Sequence, residues 1–298
     1  MSKEEAFRAG YIAIVGRPNV GKSTLLNRLV GQKISITSRR PQTTRHRVLG
    51  IVTQPQTQFL FVDTPGLQGR HTSQLNRAMN RTATQSVEGV DAVVVVLEAL
   101  RLGAADRAVL EILPKDVPAI AAVNKIDRVA DKGTLLPFLE QLSQAYPFAD
   151  IVPVSASTGR QTDELLDVLR KHLPENAPIY GEDEITDRNE RFLAAEMIRE
   201  KLFRLLGEEI PYATAVEIER YETEGNLRRI AAAILVERTG QKPIVIGKGG
   251  EKLKEIGSQA RADMETLFGG TVFLELWVKV RKGWMDDNAM LKTLGYDR

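Results

Sequence analysis

The segment GRPNVGKS at positions 16–23 follows an apolar run, YIAIV, and precedes a helical pattern, STLLNRLV. It matches the phosphate-binding pattern G-x-x-x-x-G-K-[S/T] without a mismatch, in the strand-to-helix setting that this pattern requires. In such a loop, backbone N–H groups surround phosphate oxygens, the lysine adds a positive charge and the hydroxyl ligates Mg²⁺. The alternative is a glycine turn that binds nothing. The match in this setting favours a nucleotide-phosphate site formed by Gly16, Arg17, Pro18, Asn19, Val20, Gly21, Lys22 and Ser23.

Further apolar runs follow at 59–63, 92–97, 119–124 and 150–155, with helical patterns between them. Continuous apolar runs are typical of strands that are buried on both faces of a parallel sheet. Their alternation with helices predicts an α/β fold with a mostly parallel, doubly wound sheet. The alternation stops near Leu173, so we predict a first domain at 1–175, a linker rich in proline, glycine and acids at 176–187, and a second domain at 188–298.

The composition fits a soluble globular protein, with 43% apolar and 27% charged residues. The longest apolar run, at 92–97, is far shorter than the roughly 18 residues of a membrane span. We expect no signal peptide, because the chain opens with the charged stretch MSKEEAFRAG. The absence of cysteine excludes disulfides and thiolate metal sites and is consistent with a reducing cytoplasm. The net charge of +2 is too small to indicate nucleic-acid binding by itself.

Three short motifs at the ends of predicted strands indicate which nucleotide binds. In NKID (124–127), the Asp127 carboxylate can accept hydrogen bonds from the N1–H and amine of guanine, whereas adenine offers no donor at either position. In DTPG (63–66), Asp63 is placed to hold Mg²⁺ through a water and the Gly66 N–H to meet a γ-phosphate. In SAS (155–157), the Ala156 N–H is placed to meet guanine O6. The predicted nucleotide contacts are therefore Asp63, Thr64, Pro65, Gly66, Leu67, Asn124, Lys125, Ile126, Asp127, Ser155 and Ala156.

A second glycine loop, GKGG at 247–250, lacks the GK[S/T] ending of a nucleotide loop. Around it, the predicted order is helix, strand, strand, helix, loop, helix, strand, with a long opening helix over 188–207. A G-x-x-G loop between two helices is typical of a KH module, which clamps the backbone of about four single-stranded nucleotides. The element order favours the bacterial type of that module, type II. The alternative is a glycine turn beside a solvated helix face.

Basic side chains around this second loop outnumber acidic ones, which favours binding of a phosphate backbone. Apolar side chains, Ile244, Ile246, Leu253 and Ile256, are predicted to form a groove and the core beneath it. The RNA-binding residues that we predict are Ile246, Gly247, Lys248, Gly249, Gly250, Lys252 and Lys254.

These motifs, together with QTTRHR at 42–47 and the second domain, resemble the Era family of GTPases over nearly the whole chain. The resemblance implies that 33–47 is the first switch and that the second switch begins at Gly66. It implies Thr44 as a ligand of Mg²⁺ and the γ-phosphate, with Thr43 as the competitor. The metal ligands would be Ser23, Thr44 and Asp63, and the catalytic residues Lys22, Thr44 and Gly66.

One residue departs from the pattern of better known GTPases. Leu67 stands where many of them have a glutamine that orients water, so we expect slow intrinsic hydrolysis. Families with a hydrophobic residue here often use K⁺ held partly by an asparagine of the phosphate loop, the position of Asn19; the alternative is that Asn19 only caps the loop.

Several other residues carry weaker expectations. Trp277 could be a base-stacking platform, but we expect it to pack against the long opening helix. The three histidines are scattered over different elements, so we expect no histidine metal site. Arginines in the first switch, Arg39, Arg40, Arg45 and Arg47, could contact RNA or solvate a mobile loop.

The resemblance implies a monomeric GTPase that uses GTP/GDP, Mg²⁺ and K⁺ and binds the 3′ end of 16S ribosomal RNA during assembly of the small subunit. It also implies a cytoplasmic protein with peripheral association to the inner membrane. One alternative is an RNA-binding assembly scaffold whose nucleotide is structural and does not turn over. A nucleotide kinase is a weaker alternative, because it leaves NKID and the second domain unexplained.

Overall fold

The computed structural model describes residues 6–38, 40, 43–65, 73–207 and 209–296. These residues form two compact units. The first unit contains the described residues of 1–35, 44–67 and 80–187. The second contains those of 36–43, 68–79 and 188–298. Two short segments from within the predicted first domain therefore cluster with the C-terminal part of the chain.

The first unit is built on a six-stranded sheet with the order β2-β3-β1-β4-β5-β6. All neighbouring strands are parallel except β2 and β3, which form an antiparallel hairpin. The mostly parallel sheet is confirmed; the edge strand β2 was not predicted. The strands are β1 (Arg8–Val15), β2 (Val48–Gln54), β3 (Thr57–Asp63), β4 (Ala92–Glu98), β5 (Ala119–Asn124) and β6 (Asp150–Pro153), and the helices are α1 (Lys22–Val30), α2 (Gln74–Gln85, whose residues 74–79 belong to the second unit), α3 (Ala104–Glu111), α4 (Leu135–Ala145) and α5 (Thr162–Arg170).

The central strands are buried because their side chains are apolar on both faces. Every residue of β5 is buried, as are the first six residues of β4. Apolar side chains of α3 and α4 pack against one face of these strands. This burial fixes the strands, so the loops at their carboxyl ends are presented from a rigid base.

The segment predicted as a linker is bonded to the sheet of the first unit. The buried Gln58 side chain accepts from the N–H groups of Ile179 and Tyr180 (2.8 and 2.9 Å) and donates to the Tyr180 carbonyl (2.9 Å). The Ile51 N–H on β2 donates to the Ile185 carbonyl (2.9 Å). This segment therefore covers the otherwise unpaired edge of β2.

The second unit has a three-stranded sheet with the order β7-β8-β9. Strands β7 and β8 are antiparallel, and β8 and β9 are parallel. This agrees with the predicted order of elements, and the long opening helix is confirmed. The helices are α6 (Glu190–Leu205), α7 (Gln241–Ile246), α8 (Glu251–Phe268) and α9 (Asn288–Thr293), and the strands are β7 (Thr214–Glu224), β8 (Leu227–Val236) and β9 (Thr271–Val280).

The two faces of this smaller sheet bury different partners. One face packs against α6 and α8. Trp277 belongs to the opposite face, where it packs beside Trp284 and Tyr296. The prediction that Trp277 packs against the long helix is therefore wrong, because side chains alternate along a strand and α6 covers the other face.

None of the helices in the described part of the chain is both long and apolar enough to span a membrane.

Candidate nucleotide and nucleic-acid sites

The phosphate loop lies between the end of β1 and the start of α1, as predicted. Gly21 adopts φ of 106°, and a Cβ there would lie 2.3 Å from the Asn124 side-chain nitrogen. The backbone of the loop therefore passes too close to Asn124 for any other residue at this position. The Asn124 amide also donates to the Val20 carbonyl (2.8 Å), which fixes the loop from behind.

Lys22 is buried and its ammonium group lies within the loop. It donates to the carbonyls of Gly16 (2.9 Å) and Arg17 (3.2 Å). Burial lowers the pKa of Lys22, and the nearby Asp63 carboxylate opposes that shift. The loop thus carries a positive charge surrounded by backbone groups, which is an environment suited to phosphate oxygens.

The three predicted metal ligands lie together. The Ser23 hydroxyl donates to the Asp63 carboxylate (2.7 Å), and it lies 3.0 Å from the Thr44 hydroxyl. Burial raises the pKa of Asp63, while Lys22 and hydrogen bonds from Ser23 and Ser35 oppose the shift. The second oxygen of this buried carboxylate, Oδ1, has no hydrogen-bond partner. Two hydroxyls and a carboxylate with an unsatisfied oxygen form a donor set of the kind that Mg²⁺ prefers, so these residues fit the ion.

Thr43 and Thr44 differ in their surroundings. The Thr43 hydroxyl donates to the Arg40 carbonyl (2.9 Å) and lies 2.6 Å from the Ser38 hydroxyl. Thr44 instead lies beside Ser23. The geometry therefore favours Thr44 over Thr43 as the ligand.

Ser35 is a site residue that the sequence analysis missed. Its hydroxyl donates to Asp63 (2.9 Å), and its backbone N–H donates to the Asn27 side chain (2.9 Å). Asn27, on α1, also donates to the Ser35 carbonyl (2.6 Å). No motif marks this serine; it is found only when the loop after α1 is seen to return to Asp63.

The guanine motifs are joined through Asn124. Its side-chain oxygen accepts from the N–H groups of Ala156 (2.9 Å) and Lys125 (2.8 Å), while its amide holds the phosphate loop. The Ala156 N–H, predicted to meet guanine O6, is therefore engaged by Asn124 in this structure. Asn124 acts as the bridge between the loops.

Asp127 is exposed, as a base-reading carboxylate must be. The buried Ser155 hydroxyl donates to its Oδ1 (2.6 Å), and this hydrogen bond is the main cause that lowers the pKa of Asp127. The carboxylate is therefore held charged and oriented, as a group that accepts donors from a base must be.

A cluster of charged residues outside the motifs ties these loops together. The Glu98 carboxylate, at the end of β4, accepts from Arg17 (2.7 Å) and pairs with Lys125 (3.2 Å). Arg17 also donates to the buried Asp106 (3.0 Å), and Lys125 donates to the Asn19 carbonyl (2.8 Å). Because β4 lies between β1 and β5 in the sheet, a residue at its end can reach both the phosphate loop and NKID. Sequence reasoning missed Glu98 and Asp106, since neither belongs to a motif.

Arg28, on α1, supports the SAS loop and was also missed. Its guanidinium donates to the carbonyls of Ala156 (3.2 Å) and Ser157 (2.7 Å). A helix that begins at the phosphate loop thus also positions the loop at the end of β6.

The remaining predicted nucleotide contacts are only partly described. Thr64 is buried, and its hydroxyl donates to the Ile14 carbonyl (3.3 Å). Gly66 and Leu67 lie outside the described residues, as does Arg39. The roles predicted for Gly66 and Leu67 stay predictions.

Two switch arginines have protein partners. The Arg40 guanidinium donates to the carbonyls of Leu206 (2.7 Å) and Gly207 (2.8 Å) in the second unit, and Arg45 is buried. Arg40 and Arg45 therefore contact other protein groups, and their role is not limited to keeping a loop solvated.

The second glycine loop joins α7 to α8. Gly247 adopts φ of 76°, and a Cβ there would lie 2.6 Å from the Lys252 Cβ. This close approach to the first turn of α8 requires glycine. At Gly249 and Gly250, a Cβ would meet no atom within 4 Å, so the outer side of the loop is open to a ligand.

A groove of about 500 Å³ runs beside this loop, between α8 and the free edge of β9. Leu253, Leu274 and Leu276 line it together with Gly250, Gly257 and Lys254. Ile244, predicted to line the groove, is exposed and is not among its lining residues, whereas Ile256 is fully buried in the core, as predicted. The combination of apolar walls and a basic rim suits unpaired bases with their backbone.

Three cations, Lys248 in the glycine loop and Lys254 and Arg261 in the groove, are placed to meet phosphates. Lys248, Lys254 and Arg261 are exposed, and within the described ranges none of them forms an ion pair. Lys252 differs, because it pairs with Glu255 (2.9 Å).

The fold and these two sites define a P-loop GTPase domain joined to a KH domain. Residues 11–125 match the family described as 50S ribosome-binding GTPase, and residues 209–285 match the KH domain family. The chain is 60% identical to the GTPase Era of Nitrosomonas eutropha over 98% of both chains, and 57% identical to that of Chromobacterium violaceum over 98% of both.

Solved structures agree with these relatives. A point variant of Aquifex aeolicus Era bound to GDP·AlF4⁻ is 40% identical and superimposes with a TM-score of 0.94, over 98% of this chain and 100% of that one. Era in complex with MgGDPNP and nucleotides 1506–1542 of 16S ribosomal RNA has a TM-score of 0.93, 40% identity and the same coverage. The chain belongs to the Era family of GTPases.

Proposed function

We propose that the protein is a GTP-hydrolysing switch that binds the 3′ region of 16S ribosomal RNA during small-subunit assembly. The observation that carries this proposal is the presence of both sites in one chain that matches Era over almost its full length. Era has been solved with MgGDPNP and nucleotides 1506–1542 of that RNA. We also propose that the protein acts as a monomer.

In the GTP site, Lys22 and the backbone N–H groups of 16–23 would hold the β- and γ-phosphates. Ser23, Thr44 and Asp63 would hold Mg²⁺, which neutralises charge that develops on the phosphates. Asp127, oriented by Ser155, would accept the two guanine donors. Gly66 would donate to the γ-phosphate. Hydrolysis would be slow because Leu67 cannot orient the attacking water.

In the RNA site, the backbone of Gly247, Gly249 and Gly250 would meet the sugar-phosphate chain, and Lys248, Lys252 and Lys254 would neutralise it. Ile246 and the groove between α8 and β9 would contact the bases. The open space beside Gly249 and Gly250 supports this assignment, as do Lys248 and Lys254, which are exposed and form no ion pair within the described ranges.

The guanine assignment is tested by the variant Asp127→Asn. An amide offers donors where the carboxylate offered acceptors, so it should pair with the C2 carbonyl of xanthine and not with the guanine amine. We expect affinity for GTP to fall by about a hundredfold and affinity for xanthosine triphosphate to rise, since unpaired polar groups discriminate strongly. Equal loss of both affinities would contradict base reading by Asp127.

The scaffold alternative predicts that bound nucleotide does not turn over. Multiple rounds of GTP hydrolysis by the purified protein would exclude it. Measuring that rate in potassium and in sodium tests the hypothesis that Asn19 helps to hold a K⁺ ion that assists hydrolysis. Equal rates in the two salts would contradict it.

For localisation, we propose a cytoplasmic protein with peripheral contact to the inner membrane. This rests on the family resemblance alone. Flotation with anionic lipid vesicles tests it, and recovery of all protein away from the lipid would contradict it.

A further inference from the structure

The Asp63 carboxylate receives both of its side-chain hydrogen bonds on the same oxygen. Its Oδ2 accepts from the hydroxyls of Ser23 (2.7 Å) and Ser35 (2.9 Å), whereas its buried Oδ1 has no hydrogen-bond partner. The last torsion of an aspartate side chain is broad, so hydrogen bonds, and not a rotamer preference, decide where each oxygen points. The two donors therefore leave Oδ1 as the oxygen that is available to a hydrated Mg²⁺ ion.

The two donors are not equivalent. Ser23 is itself one of the residues that fit Mg²⁺, and its hydroxyl also lies 3.0 Å from the hydroxyl of Thr44. The Ser35 hydroxyl, in contrast, bonds to Asp63 alone among the described residues. Ser35 is therefore the donor whose hydroxyl serves only to orient the carboxylate.

Ser35 is fixed in place by Asn27. The Asn27 side-chain oxygen accepts from the N–H groups of Ser35 (2.9 Å) and Ile34 (3.0 Å), and its amide donates to the Ser35 carbonyl (2.6 Å). Ser35 is 2% exposed, and both of its neighbours, Ile34 and Ile36, are buried. Because Asn27 lies on α1, the helix that begins at the phosphate loop also places the second donor to Asp63.

We propose that Ser35 is a positioning residue of the magnesium site, which acts on the ion through Asp63 and is itself placed by Asn27. The inference rests on the proposed function, because it takes the nucleotide site as assigned there. Hydrogen-bond partners of metal ligands typically contribute about ten- to hundredfold to metal affinity. Loss of the Ser35 hydroxyl should weaken binding of Mg²⁺ and not of the nucleotide itself, since this hydroxyl bonds to no group of the phosphate loop.

The test compares full-length wild type with Ser35→Ala. Affinity for a non-hydrolysable GTP analogue is measured in excess EDTA and then over a series of free Mg²⁺ concentrations. We expect the variant to bind the analogue as wild type does in EDTA, and to need about tenfold more Mg²⁺ for half of the gain in affinity that the ion gives. Ser35→Cys, which keeps a side chain of similar shape but is a weaker donor, should fall between the two.

A double-mutant cycle tests whether Asn27 acts through Ser35. Asn27→Ala should raise the Mg²⁺ requirement of wild type but add little to that of Ser35→Ala, because the two residues act in series. Fully additive losses would contradict placement of Ser35 by Asn27. The matched control is Ser86→Ala, which removes another buried serine hydroxyl of the first unit, bonded to the Thr82 carbonyl (2.6 Å), and should leave the Mg²⁺ requirement unchanged.

The variant Ser23→Ala separates this inference from the proposed function. If Ser23→Ala raises the Mg²⁺ requirement and Ser35→Ala behaves as wild type, the positioning role is wrong and the nucleotide site stands. If Ser35→Ala weakens analogue binding equally with and without Mg²⁺, Ser35 supports only the fold of its loop, and the inference is wrong. If neither serine variant changes the Mg²⁺ requirement, the assigned magnesium site is wrong, and the inference fails together with that part of the proposed function.

Discussion

The two glycine loops of this chain are shaped in opposite ways. At Gly21 in the first loop, a side chain would collide with Asn124, so protein groups already occupy the surrounding space. At Gly249 and Gly250 in the second, the corresponding space is open. The first loop is held in place by side chains from other strands, as suits a compact nucleotide. The second approaches α8 closely at Gly247 and leaves its outer face open at Gly249 and Gly250, as suits a polymer that passes across it.

The largest effect that separates the two loops should come from Lys22→Ala. Removal of the buried ammonium should weaken GTP binding by about a hundredfold, on the order of 3 kcal/mol, because charge-assisted hydrogen bonds to phosphate are lost. RNA affinity of the same variant should remain within twofold of wild type. Titration with a fluorescent GDP analogue and a gel-shift assay measure the two. Retained GTP affinity would show that the assigned phosphate loop is wrong.

Gly247→Asp should produce the reverse pattern with a smaller effect. The new side chain collides with the start of α8 and adds a negative charge where a phosphate would lie. We expect RNA affinity to fall by about thirtyfold, on the order of 2 kcal/mol, with GTP affinity unchanged. The control Gly207→Asp places the same charge where a Cβ would meet no atom within 4 Å, away from the groove. Similar losses from both variants would point to general charge repulsion and not to the clamp.

Glu98→Gln tests whether the first loop is indeed held by distant side chains. Loss of the carboxylate removes the group that joins Arg17 to Lys125, although Asp106 still holds Arg17 and the Asn19 carbonyl still holds Lys125. GDP should therefore dissociate about tenfold faster, on the order of 1.4 kcal/mol. The exposed Glu111 on α3 provides the matched control, Glu111→Gln, with an expected rate equal to wild type. Stopped-flow release of a fluorescent GDP analogue gives both rates. An unchanged rate for Glu98→Gln, with a lowered melting temperature, would assign Glu98 to folding alone.

The Glu98→Gln variant also tests how GDP release depends on pH. Burial alone would raise the pKa of Glu98, but hydrogen bonds from Arg17 and Lys125 outweigh it and hold that pKa below its ordinary value. The contribution of Glu98 is therefore present at neutral pH and is lost as pH falls through the lowered pKa. GDP release from wild type should accelerate over that acidic range, and release from Glu98→Gln should lack this component.

The sequence predicted the sheet and its motifs well because both are local. Continuous apolar runs identify buried strands, and each motif directly follows a strand. It missed β2, because that strand follows the predicted first switch and its pairing with β3 depends on a hairpin. It missed Glu98, Arg28 and Ser35 because their roles arise only when the order of strands brings distant loops together. Trp277 was misplaced because an alternating strand does not reveal which face its helices cover.

Crosslinking followed by mass spectrometry tests the central claim most directly, namely that the two loops hold different phosphates. The protein is loaded with thioguanosine triphosphate and a thiouridine-containing RNA that corresponds to nucleotides 1506–1542 of 16S ribosomal RNA. We predict that thioguanine crosslinks map to 124–127 and 155–157, and that RNA crosslinks map to 246–261 and 271–276. RNA crosslinks confined to the first unit, or thioguanine crosslinks at the second glycine loop, would contradict the account.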